Sequence, residues 1–198
     1  MLDFQLIRDV LDKNHKPVKS PGRPAGVFLL LVDLNDSIHL ILQKRIKDRS
    51  PHSGQISLIG GSSEPFDKSI LETAYREAKE EVGVGPSDIE LLGALRPTIT
   101  LRSGFVVYPF VGRLLGSVEL RPNPSEVERL IYIPVQKLID LHPFRRKSYY
   151  YDGARRETFI IEHDGEIVWG ATARILDDFI SRLKERLSNG VPNAKGKG

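Results

Sequence analysis

Gly60-Gly61-Ser62-Ser63-Glu64-Pro65-Phe66-Asp67, followed by Arg76-Glu77-Ala78-Lys79-Glu80-Glu81-Val82-Gly83-Val84, decides how this chain is read. Three carboxylates fall within five residues of one predicted helix, directly behind a glycine turn. Ser69 with Glu72 three positions on is a capping-box signal, and Gly83 is placed to end the helix in the left-handed conformation. Ile70, Leu71, Ala74, Ala78 and Val82 recur at helical spacing and form an apolar stripe. At about 100° per residue, Glu77 and Glu81 lie along one edge of that stripe, while Glu80 turns toward solvent. Like charges at such spacing weaken an isolated helix by a few tenths of a kcal/mol per pair. A hard divalent cation converts that repulsion into coordination, and oxygen ligands suit magnesium. A solvated face pairing its acids with Arg76 and Lys79 has the same composition. The added Gly60-Gly61, Asp67 and Gly83 favour the metal site.

This array resembles the Nudix box, the signature of hydrolases that cut diphosphates linked to a nucleoside. The common box has Gly, five residues, Glu, seven residues, then Arg-Glu. Here Gly61 is followed after five residues by Asp67, and eight more precede Arg76. One extra loop residue with Asp for Glu resembles the coenzyme A pyrophosphatase subgroup. Upstream, Ile41-Leu42-Gln43-Lys44-Arg45 and Ser50-Pro51-His52-Ser53-Gly54-Gln55-Ile56-Ser57-Leu58-Ile59-Gly60-Gly61 match that subgroup at Arg45, Gly54 and the double glycine. Gln43, Ser50 and Leu58-Ile59 replace its Thr, its second Arg and its Phe-Pro, with Arg49 one position from the missing Arg. Residues 97–100, 103–109, 123–127 and 169–173 resemble further subgroup segments in the same order.

The resemblance implies an α/β fold, a Nudix α/β/α sandwich with a mixed sheet, and a metal-dependent hydrolase. Its expected cofactor is magnesium, with manganese as the alternative. Glu77, Glu80, Glu81 and the Gly60 carbonyl are the metal ligands it implies. Glu80, Glu81 and Arg76 are the catalytic group, with Arg76 pairing a box carboxylate. Arg45, Gly61 and Glu64 are assigned to substrate, and Glu126 is a loop base whose alternative is an exposed turn carboxylate. His52 is a second base candidate or an incidental loop residue. Coenzyme A or a derivative is the expected substrate, giving 3′,5′-ADP and 4′-phosphopantetheine. ADP-ribose, NADH and dinucleotide polyphosphates are the alternatives, and a nucleotide-binding module without catalysis is the non-enzyme reading. The clustered acids argue against that last reading, because a binder does not need them.

Composition agrees with one cytoplasmic enzyme domain: 198 residues, 40% apolar and 28% charged, are enough to build a core. No apolar run approaches the ~20 residues of a membrane span. Zero cysteines exclude disulfides and thiol catalysis. A net charge of +3 is too small to argue for nucleic acid but tolerates anionic substrates. The expected partners are therefore a small nucleotide diphosphate and a second copy in a homodimer, with neither nucleic acid nor membrane.

Residues 1–24 are read as an N-terminal helix and connector, 25–187 as the catalytic domain and 188–198 as a flexible tail. Strands are expected at 25–33, 38–43, 56–59, 89–95, 105–114, 130–133, 158–162 and 167–169, with Asn35-Asp36 as a hairpin turn. A last helix is expected over 171–187, and an early one over 4–11. Arg145-Arg146-Lys147, Tyr149-Tyr150-Tyr151 and Arg155-Arg156 read first as a basic β-hairpin, and second as a patch that stacks a base or holds phosphate.

Overall fold

The structure, a computed structural model, describes residues 2–15, 18, 20–47, 53–100, 104–116 and 118–189. Arg49, Ser50, His52, Ser103 and the expected tail beyond residue 189 lie outside the described residues. Among these residues no helix is long and apolar enough to cross a membrane.

The apolar run in β1 (Arg23–Leu34) marks a strand buried on both faces, and it occupies the centre of the main sheet. Alternation assigns its side chains to two cores. Val27, Leu29 and Leu31 join one, while Phe28 and Leu30 join the other. One edge of β1 pairs in parallel with β7 (Phe105–Leu114), which in turn pairs with β5 (Ile89–Ala94) and β6 (Thr98–Ile99). The other edge is shared. Its C-terminal half pairs with β2 (Ser37–Arg45) through the expected hairpin, where Asn35 and Asp36 both take positive φ. Its N-terminal half pairs with β4 (Ile59–Ser62), and β3 (Ile56–Ser57) continues onto the end of β2. The expected single strand at 56–59 is thus two strands that bend at Leu58 and drive a wedge between β1 and β2. That wedge sets Gly60 and Gly61 inside the sheet. The outer edge of β2 pairs with β8 (Val127–Pro134).

Helices cover both faces. Residues Ala74, Ala78 and Val82 of α2 (Ile70–Val82) pack on the Phe28 side. The helix can lie this close because Gly26 has no side chain: a Cβ there would stand 2.3 Å from the Ile70 carbonyl oxygen. The opposite face carries α1 (Phe4–Asp9), α3 (Val135–Leu141) and α4 (Gly170–Asn189). Ile7 is fully buried there, so the N-terminal segment contributes to the core. α4 begins one residue earlier and ends later than expected, taking in Ser188 and Asn189. α3 and β6 were not expected, since seven- and two-residue elements carry too little periodicity. β9 (Arg145–Tyr151) and β10 (Ala154–His163) form the basic hairpin, and β11 (Glu166–Trp169) completes a second, three-stranded sheet.

Candidate active site

The site is built where α2 crosses the wedge. Ser69 caps α2 by accepting from the Glu72 N–H at 3.1 Å, and Gly83 closes it at φ 80°. The reciprocal half of the expected capping box differs: the Glu72 carboxylate accepts from the Lys68 N–H at 2.8 Å, one residue before the cap. Helical geometry then separates the three acids. The Glu81 side chain is 1% exposed, Glu77 15% and Glu80 53%, as their angular positions on the helix predict.

Glu81 is held from three sides. Its Oε1 accepts from Gln43 Nε2 at 2.7 Å, its Oε2 from the Gly60 N–H at 2.8 Å, and Arg45 Nη1 stands 3.4 Å away. Desolvation outweighs these donors and pushes Glu81 up to about 7. Burial also raises Glu77, opposed by the adjacent Arg76 and assisted by the charges of Glu80 and Glu126. Glu126 therefore lies within electrostatic reach of Glu77. The segment before it is docked on the end of α2, where the Asn123 N–H donates to the Glu81 carbonyl and the Arg121 N–H to that of Val82.

Arg76 organises the rest. It donates to Asp67 Oδ1 and Oδ2 at 3.0 and 3.1 Å, to Glu77 at 2.7 Å, to Glu80 at 3.0 Å and to the Ser62 carbonyl at 2.9 Å. The bidentate bond holds Asp67 at about 2, far below the usual carboxylate range. Asp67 also accepts from the Glu64 N–H and the Thr73 hydroxyl, which stitches the long loop to the helix. Glu64 contributes that backbone bond, while its side chain is exposed and joins none of the ion pairs among the described residues. Gly61 is a matter of space. A Cβ there would sit 2.6 Å from Glu77 Oε2, so the bare glycine forms the cradle for that carboxylate.

Gln43, in sequence a departure from the subgroup's pattern, is fully buried and bonds the deepest acid. Its Nε2 also faces the Leu58 carbonyl at 3.3 Å, and two acceptors fix that amide orientation. Its Oε1 is left buried without a partner among the described residues. No local signal reveals this role, because Gln43 and Glu81 are 38 positions apart in the chain.

These groups can accept a hard cation, although no three acidic or histidine side chains among the described residues already stand at metal-ligand distances. Arg76 Nη1 bonds Glu77 at 2.7 Å and Glu80 at 3.0 Å, while Glu81 is held separately by Gln43, the Gly60 N–H and Arg45. Two carboxylates raised by burial, an orphaned amide oxygen and all-oxygen donors form a site that bound positive charge would relieve.

The NUDIX domain family model matches residues 22–157. The chain is 33% identical over 147 residues to the uncharacterized Nudix hydrolase NudL of Pectobacterium atrosepticum, covering 74% of this chain and 76% of that one. It is 30% identical over 169 residues to NudL of Photorhabdus laumondii, covering 85% and 89%. In architecture it resembles a MutT/nudix family protein from Enterococcus faecalis, with a TM-score of 0.56 at 17% identity, over 87% of this chain and 66% of that one.

Proposed function

The chain belongs to the Nudix hydrolase family, and from that premise we propose that it cleaves coenzyme A or a derivative at the diphosphate, yielding 3′,5′-ADP and 4′-phosphopantetheine. The observation that carries the substrate reading is the lengthened loop from Gly61 to Arg76, whose extra residue is accommodated by Asp67 clasping Arg76 through both oxygens. The upstream match at Arg45, Gly54 and Gly60-Gly61 supports it, with Arg45 Nη1 3.4 Å from Glu81 Oε1.

A phosphoanhydride is shielded by its own charge, so catalysis needs neutralised oxygens and an activated water. Glu77 and Glu81, with Glu80 and the Gly60 carbonyl, are the groups that would hold magnesium or manganese. When bound, such an ion neutralises phosphoryl oxygens and lowers the pKa of coordinated water. Arg76 bonds Glu77 and Glu80 through one nitrogen and would hold both carboxylates in position. Gln43 and the Gly60 N–H fix the two oxygens of Glu81. Arg45 offers a cation to the phosphates. Glu126 is the loop carboxylate available to accept the water's proton as the water oxygen attacks phosphorus and the bridging oxygen leaves with the other phosphate. Glu80 is the second candidate for that base, and the charges of both carboxylates act on Glu77.

Side-by-side kinetics on coenzyme A, dephospho-coenzyme A and ADP-ribose with magnesium, products identified by mass, test the reading. Coenzyme A is expected to lead. A clear preference for ADP-ribose removes the coenzyme A assignment while leaving diphosphate hydrolysis in place.

A further inference from the structure

The three-stranded sheet carries a second concentration of chemistry that the diphosphate site does not use. One side of it packs on α4 through Ile161 and Val168. The other side lines a shallow cavity of about 630 Å³. Register arranges this side in rungs: Trp169, Ile160 and Arg145 in one, Thr158 and Lys147 in the next, Arg156 and Tyr149 in the third. Residues paired across strands share a face about 5 Å apart. Trp169, Tyr149, Arg145 and Lys147 therefore line the cavity, and Arg156 stands on the same side of the sheet opposite Tyr149. Arg145 meets Glu162 at 3.3 Å, whereas Lys147 and Arg156 have no ion-pair partner among the described residues. Three cations against one carboxylate leave the face positive.

Trp169 is 36% exposed and Ile167 52%, so apolar surface and unmatched positive charge coexist. A hydrophobic peptide would cover the rings and strand the cations. A second copy in an isologous contact would set cations against cations. A planar ring carrying phosphate satisfies both features, because stacking uses the ring and charge-assisted bonds use the phosphate. The sheet is also clamped beside the reaction site. From the opposite side of β11, Glu166 pairs with Lys44 at 2.8 Å and with Arg129, and Lys44 immediately precedes Arg45.

We propose that this face binds a phosphorylated nucleoside, its base against Trp169 and its phosphate on Lys147 and Arg156, and that the occupant is the nucleotide end of the enzyme's own substrate. The identity of the occupant rests on the substrate reading above; the nucleotide site does not. Trp169 is the chain's single tryptophan, so its fluorescence reports the cavity directly. Titration with adenosine 3′,5′-bisphosphate is expected to quench it saturably, with adenosine weaker and inorganic phosphate without effect. Lys147→Glu with Arg156→Glu, both exposed, should weaken the bisphosphate on the order of tenfold or more, while Glu81→Gln leaves it unchanged. In turnover the same pair should raise KM by a similar factor at constant kcat. Absence of quenching in the wild type, or unchanged affinity after charge reversal, overturns the site. Charge-sensitive binding with an unmoved KM overturns the substrate's end as occupant. If no coenzyme A is cleaved but charge-sensitive binding persists, the substrate reading fails and the nucleotide site stands.

Discussion

The two cation-bearing regions of this molecule are built on opposite terms. At the box, Arg76 spends five hydrogen bonds and Glu81 is 1% exposed, so each charge is fixed by several partners. On the open face of the β9–β11 sheet, Lys147 and Arg156 stand in solvent without partners among the described residues. Fixed geometry is what a reaction on a common diphosphate requires, since preorganised charge stabilises the transition state without rearranging. Exposed groups on a rigid sheet can change without disturbing the core. On the proposed reading, chemistry is held by the interior and selectivity is left to a surface.

The largest effect should come from breaking the interior side. Glu81→Gln keeps the shape and removes the charge. Loss of one ligand should lower turnover on the order of a thousandfold, or ~4 kcal/mol. The fold should survive, because the substitution keeps the side chain's shape and removes a carboxyl whose charge burial disfavours. Measured kcat at saturating magnesium within about tenfold of wild type would remove Glu81 from the metal site.

Two glycines then separate catalysis from folding. The three atoms nearest a Cβ on Gly61 all belong to the Glu77 carboxyl group, the end of a side chain that can swing away. Gly61→Ala should cost turnover up to on the order of a hundredfold through misplacement, with a small change in melting temperature. A Cβ on Gly26 meets backbone, the Ile70 oxygen at 2.3 Å and the Ala74 nitrogen at 3.0 Å. Gly26→Ala must therefore lift α2 and should cost ~1–3 kcal/mol of stability. Urea unfolding and kcat on both variants check the pair; equal losses of stability would deny the distinction.

Sequence reading reached the interior side further than its position in space suggests. Ser69, the apolar stripe and Gly83 locate α2 within a residue, because a cap, a period and a left-handed stop are all local signals. The exposure order of Glu81, Glu77 and Glu80 also follows from angle alone. What stayed hidden depends on distant chain segments. The bend at Leu58 and the Gln43 bond to Glu81 both depend on the wedge between β1 and β2. On the outer sheet, alternation was enough to suggest a hairpin. Only the register with β11 adds Trp169 to the same rung as Arg145.

Acidity sharpens the comparison in a second way. Burial raises Glu81 to about 7, so the metal-free fold keeps a proton that the unfolded chain releases near 4.5. The stability this group contributes is full below pH 4.5 and is lost as pH rises through about 7, up to ~3 kcal/mol. Glu77 is raised as well and adds in the same sense. Asp67 runs the other way: its contribution is present above 3.8 and is lost only as pH falls through about 2. Between pH 5 and 8 Glu81 and Glu77 should therefore contribute while Asp67 does not, and comparison with Glu81→Gln cancels the histidines that both proteins share. With chelator present, the melting temperature of the wild type should fall relative to Glu81→Gln as pH rises across that interval. Added magnesium should stabilise the wild type more at pH 8 than at pH 5, because binding must displace the proton. A flat difference between the two proteins would show that Glu81 is ionised throughout.

The smallest effect belongs to the outer sheet. Lys147→Ala and Arg156→Ala remove exposed cations that no carboxylate among the described residues answers. Such surface changes usually fall within ±0.5 kcal/mol, and here like-charge relief favours the stabilising half of that range. Screening predicts the sign of the salt effect: any gain should shrink as ionic strength rises and the Debye length drops from ~10 Å at 0.1 M to ~3 Å at 1 M. Urea midpoints at low and high salt measure both. A loss above ~1 kcal/mol at either salt would mean that these cations hold the sheet together. The contrast between a fixed interior and a replaceable surface would then fail at the residues on which it depends.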